Sequence, residues 1–178
     1  GLADRQTVIR PGAYLGRFFD FSPARVTELV AMLGINTDTE LQWADTADEI
    51  EQVYIQGPGS CMSHPASHYE SRMHPARAYA AGDIRLAYLQ DDDNNIIART
   101  LVRGLGYVRI FCDDHHAIKQ HFETLLRNAG YTHSSDCLLG AKLLCIPQDD
   151  IYVAPYLDGN YQRVKQSGKY LIIGSEGI

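Results

Sequence analysis

Cations are in deficit in this chain: 16 Lys and Arg stand against 22 Asp and Glu, giving a formal net charge of −6 over 178 residues. That deficit excludes a protein that coats DNA with its whole surface and leaves open only a local basic face. Cysteine is scarce as well. Four residues (Cys61, Cys112, Cys137, Cys145) are too few for the disulfide framework of a secreted domain of this size, so reduced thiols in a cytoplasm are expected. No apolar run reaches the roughly 18 residues of a membrane span, and no signal-peptide pattern is seen in these residues. Walker-lysine, HExxH and Gly-x-Ser-x-Gly patterns are missing. So is any fixed-period repeat, which excludes a solenoid or propeller.

What is present is ordinary for a globular chain: 45% hydrophobic and 21% charged residues, in a length that fits one domain at roughly 150 residues each. The start at Gly1 rather than Met, and the stop at 174–178 directly after a strand-like segment, read as part of a longer protein. Ser22 as N-cap and Pro23 at the first helical position open a helix that carries Val26, Leu29, Val30 and Leu33 on one stripe and stops at Gly34. Thr46-Ala47-Asp48-Glu49 has capping-box spacing and leads into Ile50, Val53 and Tyr54. A further helix is predicted after Asp113-Asp114, with Ile118, Phe122, Leu125 and Leu126 as its stripe and Gly130 as its end. Strands are predicted over 84–89 and 96–102, flanking a polar hairpin loop at 91–95, and over 107–112, 143–146, 151–154 and 170–173. The expected fold is α+β: a helical N-terminal part (1–56), a His-rich loop (57–75), and a mostly antiparallel sheet with one packed helix (76–178), all in a single domain.

Chemistry concentrates in the loop. Cys61, His64, His68 and His74 are natural zinc ligands, and the Cys-x2-His spacing of Cys61/His64 recurs at Cys112/His115, so the two could converge on a tetrahedral site. The opposing reading is a polar surface loop with incidental histidines. Cys61 after Gly57-Pro58-Gly59-Ser60 also fits a nucleophile, with His64, His115, His116 or His133 as base, although a lone cysteine after such a turn is more often structural. Asp91 to Asn95 fails the calcium-loop pattern, because Ile96 stands where Gly is required and Val102 where Glu is required. Gly104-x-Gly106 lacks the third glycine of a dinucleotide fingerprint.

Two charged regions invite partners. Period-2 reading puts Ile97, Arg99, Leu101 and Arg103 on one face of a strand, and Tyr107, Arg109 and Phe111 on one face of the next. If those faces coincide, Arg99, Arg103 and Arg109 with Tyr107 and Phe111 suit phosphate contact and base stacking on nucleic acid. The alternative is that the aromatics point into the core and the arginines line its rim. Residues 36–51 hold six acids, including Glu40 and Asp45, with no Lys or Arg, and Trp43 sits among them as a possible anchor for a basic partner protein.

Ser60-Cys61-Met62, Ala78-Tyr79, Ile84–Leu89, Ile96–Val102, Tyr107–Ile110 and Ala154–Gly159 together resemble a pattern in uncharacterised tailed-bacteriophage proteins. That resemblance implies a viral protein acting in a bacterial host cytoplasm, and it favours nucleic-acid handling or engagement of a host factor. The combined expectation is a non-catalytic accessory module that binds nucleic acid or a host protein without a cofactor. The alternative is a Cys/His enzyme or zinc-stabilised domain built on Cys61 and its neighbouring histidines. The charge is also uneven: residues 72–109 carry six arginines against four aspartates, a net of +2, which leaves −8 for the rest.

Overall fold

The computed structural model describes residues 20–36, 38–69, 73–113, 115–148, 151–155 and 163–174. Both chain ends, Arg72, Asp114 and the 156–159 part of the resemblance lie outside them. Helix α1 (Pro23–Met32) starts as its sequence dictates: the Ser22 hydroxyl accepts the Arg25 N–H at 3.2 Å and Pro23 occupies the first turn. Helix α2 (Ala47–Gln56) carries the full capping box, Thr46 Oγ1 accepting the Glu49 N–H at 3.3 Å while the Glu49 carboxylate accepts the Thr46 N–H at 3.1 Å. Those bonds to the main chain of Asp45 and Thr46 hold the Glu49 carboxyl below the ordinary carboxylate range. Helix α3 (His116–Asn128) is capped by His115, whose Nδ1 accepts the Ala117 N–H at 3.3 Å.

The architecture is α+β, with mostly antiparallel strands. A central sheet runs β1 (Gln42–Ala44), β2 (Arg85–Gln90), β3 (Ile96–Arg103), β4 (Gly106–Tyr107) and β6 (Thr132–His133), with β5 (Phe111–Cys112) also paired to β3. One face of this sheet packs against α1 and α3 through Val26, Val30, Ala87, Val102, Ile118, Phe122 and Leu126. The other face packs against α2, a 3₁₀ helix (Pro75–Ala81) and a second sheet through Ile50, Tyr54, Tyr79, Leu86, Leu101, Leu143 and Ile173. Helices therefore pack on both faces, where one packed helix was expected. β3, lying between two cores, is buried at seven of its eight positions.

Two irregularities decide where β3 points its side chains. Ile97 is an extra residue where Leu89 pairs Ala98 and Gln90 pairs Ile96, which turns Ile97 to the α1/α3 side. On the other edge, between the pairs Val102↔Tyr107 and Arg99↔Phe111, β3 advances three residues and its partner run four. The expected single strand over 107–112 is thus broken at 108–110. Thr100 Oγ1 fills the break, lying 3.1 Å from the carbonyl oxygens of both Val108 and Arg109.

The C-terminal strands do not join the central sheet, correcting the single sheet of the sequence reading. β7 (Lys142–Leu144) pairs β11 (Tyr170–Gly174), which pairs β10 (Arg163–Ser167). β8 (Ile146–Gln148) and β9 (Ile151–Val153) form a separate hairpin. The second sheet is held to the first through the turn before β7, where Arg103 donates to the carbonyls of Cys137 and Leu139. The same turn lies against Gly106: a Cβ placed there would sit 2.6 Å from Cys137 Cβ. Gly106→Ala is therefore expected to destabilise the protein by about 1–3 kcal/mol through overpacking, read as a lowered urea midpoint with unchanged slope.

Candidate nucleic-acid interface

The arginine face read from β3 is not open. Arg99, Leu101 and Arg103 do share a face, but it is the one covered by α2 and the second sheet. Arg99 is fully buried, its guanidinium carbon 3.9 Å from the Tyr54 ring centre and 4.3 Å from that of Phe111, with Nη2 donating to Ser60 Oγ at 2.9 Å. Arg103 is engaged by the Cys137 and Leu139 carbonyls. The break at 108–110 puts Tyr107 opposite Val102 and Phe111 opposite Arg99, hence on opposite faces. Tyr107 is buried against α3 and Phe111 is half-buried. Of the five residues, Arg109 alone is exposed, stacked 4.8 Å from the Phe111 ring. The proposed face is corrected accordingly: Arg99, Arg103 and Tyr107 are built into the fold, Phe111 packs on Arg99, and Arg109 alone remains open.

The Cys/His set is dispersed among structural tasks. His74 is buried; its Nδ1 accepts the Ala76 N–H at 3.1 Å and its Nε2 lies 2.9 Å from the Met62 carbonyl. An N–H only donates and a carbonyl only accepts, so Nδ1 is bare and Nε2 carries the proton, leaving neither nitrogen for a metal. His64 and His68 stack on each other in solvent, 4.1 Å between ring centres. Tyr69 braces the loop, its hydroxyl donating to the Cys61 carbonyl at 2.9 Å and accepting the His64 N–H at 3.1 Å. Cys61 is exposed, Cys112 packs against the α1/α3 core, and His115 caps α3. Among the described residues no three His, Cys, Asp or Glu side chains are gathered so as to hold a metal ion.

Three of the six acids of the strip are paired within the chain, by two arginines. Arg85 Nε donates to Asp45 Oδ1 at 2.8 Å while its guanidinium covers the Trp43 ring at 4.1 Å. Arg77 bridges Asp48 and Glu51 at 2.6 and 2.7 Å. Trp43 is half-buried on strand β1, which the sequence reading lacked, and meets the Tyr131 ring at a tilt of 51° with centres 5.5 Å apart. Exposed Glu40 lies with Trp43, Leu41, Leu125 and Tyr131 around a surface depression of ≈ 430 Å³.

A different face collects open cations. In β11 the residues alternate: Leu171 and Ile173 enter the core, while Tyr170, Ile172 and Gly174 look outward. Register places Arg163, Lys165 and Ser167 of β10 opposite Gly174, Ile172 and Tyr170, and Lys142 and Leu144 of β7 opposite Ile172 and Tyr170. All of these share the outer face, because directly paired residues project to the same side. Lys142 Nζ lies 5.3 Å and Lys169 Nζ 5.4 Å from the Tyr170 ring centre. Arg163, Lys142, Lys165 and Lys169 are exposed. Residues 163–174 contain three cations and no acid. Asp83 meets this sheet at its main chain, its carboxylate accepting the Lys142 N–H at 2.8 Å. A depression of ≈ 600 Å³ lies along β10 and the end of β11, lined by Arg163, Lys165 and Ile172 of the outer face together with Leu139 and the core-facing Val164 and Ile173; Tyr170, Lys142 and Lys169 are not part of its lining.

Sequence reasoning missed this face because Lys142 lies 21 positions before Arg163, and the RVKQS stretch of β10 is too polar to read as a strand. The signal it offered was local charge, three cations without an acid inside an otherwise acidic remainder. Among the described residues no helix is long and apolar enough to cross a membrane. In comparisons with family models, curated proteins and solved structures, nothing matches this chain.

Proposed function

We propose that this chain is a non-catalytic module that binds nucleic acid through the outer face of the β10–β11–β7 sheet. The observation that carries the reading is the gathering of Lys142, Arg163, Lys165 and Lys169 around Tyr170, with no acid in residues 163–174. Phosphate contacts by clustered Lys and Arg release counterions and supply most of non-specific affinity, so a basic patch suffices on a chain whose net charge is −6. The engagement of both His74 nitrogens weighs against a Cys/His centre that includes His74, since it commits that side chain to structure. The phage resemblance supplies the setting, a viral accessory protein in a host cytoplasm.

Fluorescence anisotropy on a labelled oligonucleotide tests this. Four phosphate contacts predict a log Kd against log salt slope of about 3 on single strands. Arg163→Glu with Lys165→Glu is expected to weaken binding by at least tenfold and to lower that slope by about 1.4. Salt-independent binding, or wild-type affinity in the double variant, overturns the proposal.

A further inference from the structure

We infer that this face takes single-stranded nucleic acid, with Tyr170 as a stacking platform for a base; the inference rests on the nucleic-acid reading above. Tyr170 sits on the middle strand of its sheet, flanked by Ser167 of β10 and Leu144 of β7. Two positions along the same strand and on the same face stands Ile172, half-buried, so β11 offers a ring followed by an apolar floor. Cations border this strip on both sides: Arg163 and Lys165 on β10, Lys142 on β7, and Lys169 in the turn between β10 and β11. With strands about 4.8 Å apart, those cations lie within one side chain's reach of a backbone laid along the strip.

The shape discriminates between single strands and duplexes. In a duplex the faces of the bases are stacked on one another, and only their edges appear in grooves that admit a helix or a two-stranded ribbon. This face is the broad side of a three-stranded sheet, not a helix or two-stranded ribbon that projects into a groove. It can meet a base only where the base is already unstacked, as in a single strand, whose bases stack on exposed aromatic rings while Lys and Arg follow the phosphates. The lysines now near the Tyr170 ring are exposed, and cation–π attraction at exposed sites is weak, so a phosphate draws them off and frees the ring for a base.

Anisotropy titrations of the full chain against labelled oligo-dT, oligo-U and a duplex of equal length decide the matter. The wild type is expected to bind at least one of the single strands ten times more tightly than the duplex. Tyr170→Leu is expected to lose about tenfold on that strand and to leave the duplex unchanged, whereas Tyr170→Phe, which keeps the ring, retains wild-type affinity. Unchanged duplex binding by Tyr170→Leu guards against a variant that merely misfolds. Lys165→Glu weakens strand and duplex alike. Duplex binding equal to or tighter than both strands, or a silent Tyr170→Leu, overturns the single-strand inference and leaves the wider reading standing. Absence of binding to all three probes overturns the wider reading itself.

Discussion

Arg99→Ala is expected to destabilise the protein by about 3–5 kcal/mol, whereas Arg99→Met is expected to stay within about 1 kcal/mol of the wild type or to exceed it. The side chain is wholly buried, and removing it would leave a cavity between Tyr54 and Phe111 and take away one of the hydrogen bonds at the Ser60 hydroxyl, which also meets the Met62 N–H and the Ser63 hydroxyl. Loss of packing and hydrogen bonding at such a site places the alanine variant at the upper end of single-substitution effects. Methionine behaves differently because of what the guanidinium lacks. Among the described residues it has no carboxylate partner, and its Nε and Nη1 are buried without a hydrogen bond. What compensates its desolvation is one hydrogen bond and contact with two rings, worth about 2 kcal/mol each when desolvated. A flexible apolar chain of similar length keeps the packing and removes the burial of the charge. Urea titrations followed by circular dichroism check both variants. A methionine variant as unstable as the alanine one would show that the two ring contacts outweigh the desolvation.

Arg99 also shows where sequence reasoning on this chain succeeds and where it stops. The starts of α1 and α2 were legible because a cap is a local device: Ser22-Pro23 and the Thr46/Glu49 pair act within four residues of themselves. The β2–β3 hairpin was legible for the same reason, since Asp91 organises its own turn by accepting the Asp93 and Asn95 N–H groups. Facing was not legible. Alternation in β3 correctly grouped Arg99, Leu101 and Arg103, yet alternation says nothing about which side is dry, and here both sides are. Nor did any residue type announce the break at 108–110, which depends on Thr100 reaching across to the Val108 and Arg109 carbonyls. One added residue there reverses the facing of everything beyond it, which is why Phe111 and Tyr107 parted company.

The candidate interface was hidden for a related reason. Its cations come from two strands and a turn, and only the register of β7, β11 and β10 brings Lys142 beside the β11 strip that Arg163 and Lys165 flank from the other side. A count of charge over long windows averaged this patch into an acidic remainder. In β3, β2 and the 3₁₀ helix before them the opposite occurred. Arg77, Arg85, Arg99 and Arg103 made the middle of the chain look anion-seeking, but each is committed within the fold, to Asp48 and Glu51, to Asp45 and Trp43, to Tyr54 and Phe111, and to the Cys137 and Leu139 carbonyls.

Acidification is expected to weaken this fold from about pH 6.5 downward, with His74 and His121 both contributing. Burial, the larger effect, pushes the His74 imidazole below its ordinary value, and the hydrogen bond to the Met62 carbonyl and the charge of Glu51 only partly oppose it. His121, buried on α3 with Nε2 unpaired among the described residues, is lowered by burial as well. The folded pKa therefore lies under the unfolded one. Between those two values the unfolded chain binds more protons, so stability rises with pH there and is fully present only above the unfolded value. Each such histidine contributes a slope of up to about 1.4 kcal/mol per pH unit within its own window. The carboxyls of Glu49 and Asp91, lowered by hydrogen bonds from neighbouring N–H groups, extend the loss at lower pH. For His74 the structural consequence is direct, because a proton on Nδ1 removes the acceptor of the Ala76 N–H and uncaps the Pro75–Ala81 helix. His74→Ala is expected to cost about 2–4 kcal/mol at pH 8, since it strands two buried main-chain groups. His74→Asn, whose side-chain oxygen can still cap Ala76, is expected to recover about 1 kcal/mol of that and to be less sensitive to acid than the wild type. Denaturant midpoints measured between pH 8 and pH 5 decide it: parallel pH dependence in the wild type and His74→Asn would move the acid sensitivity away from this residue.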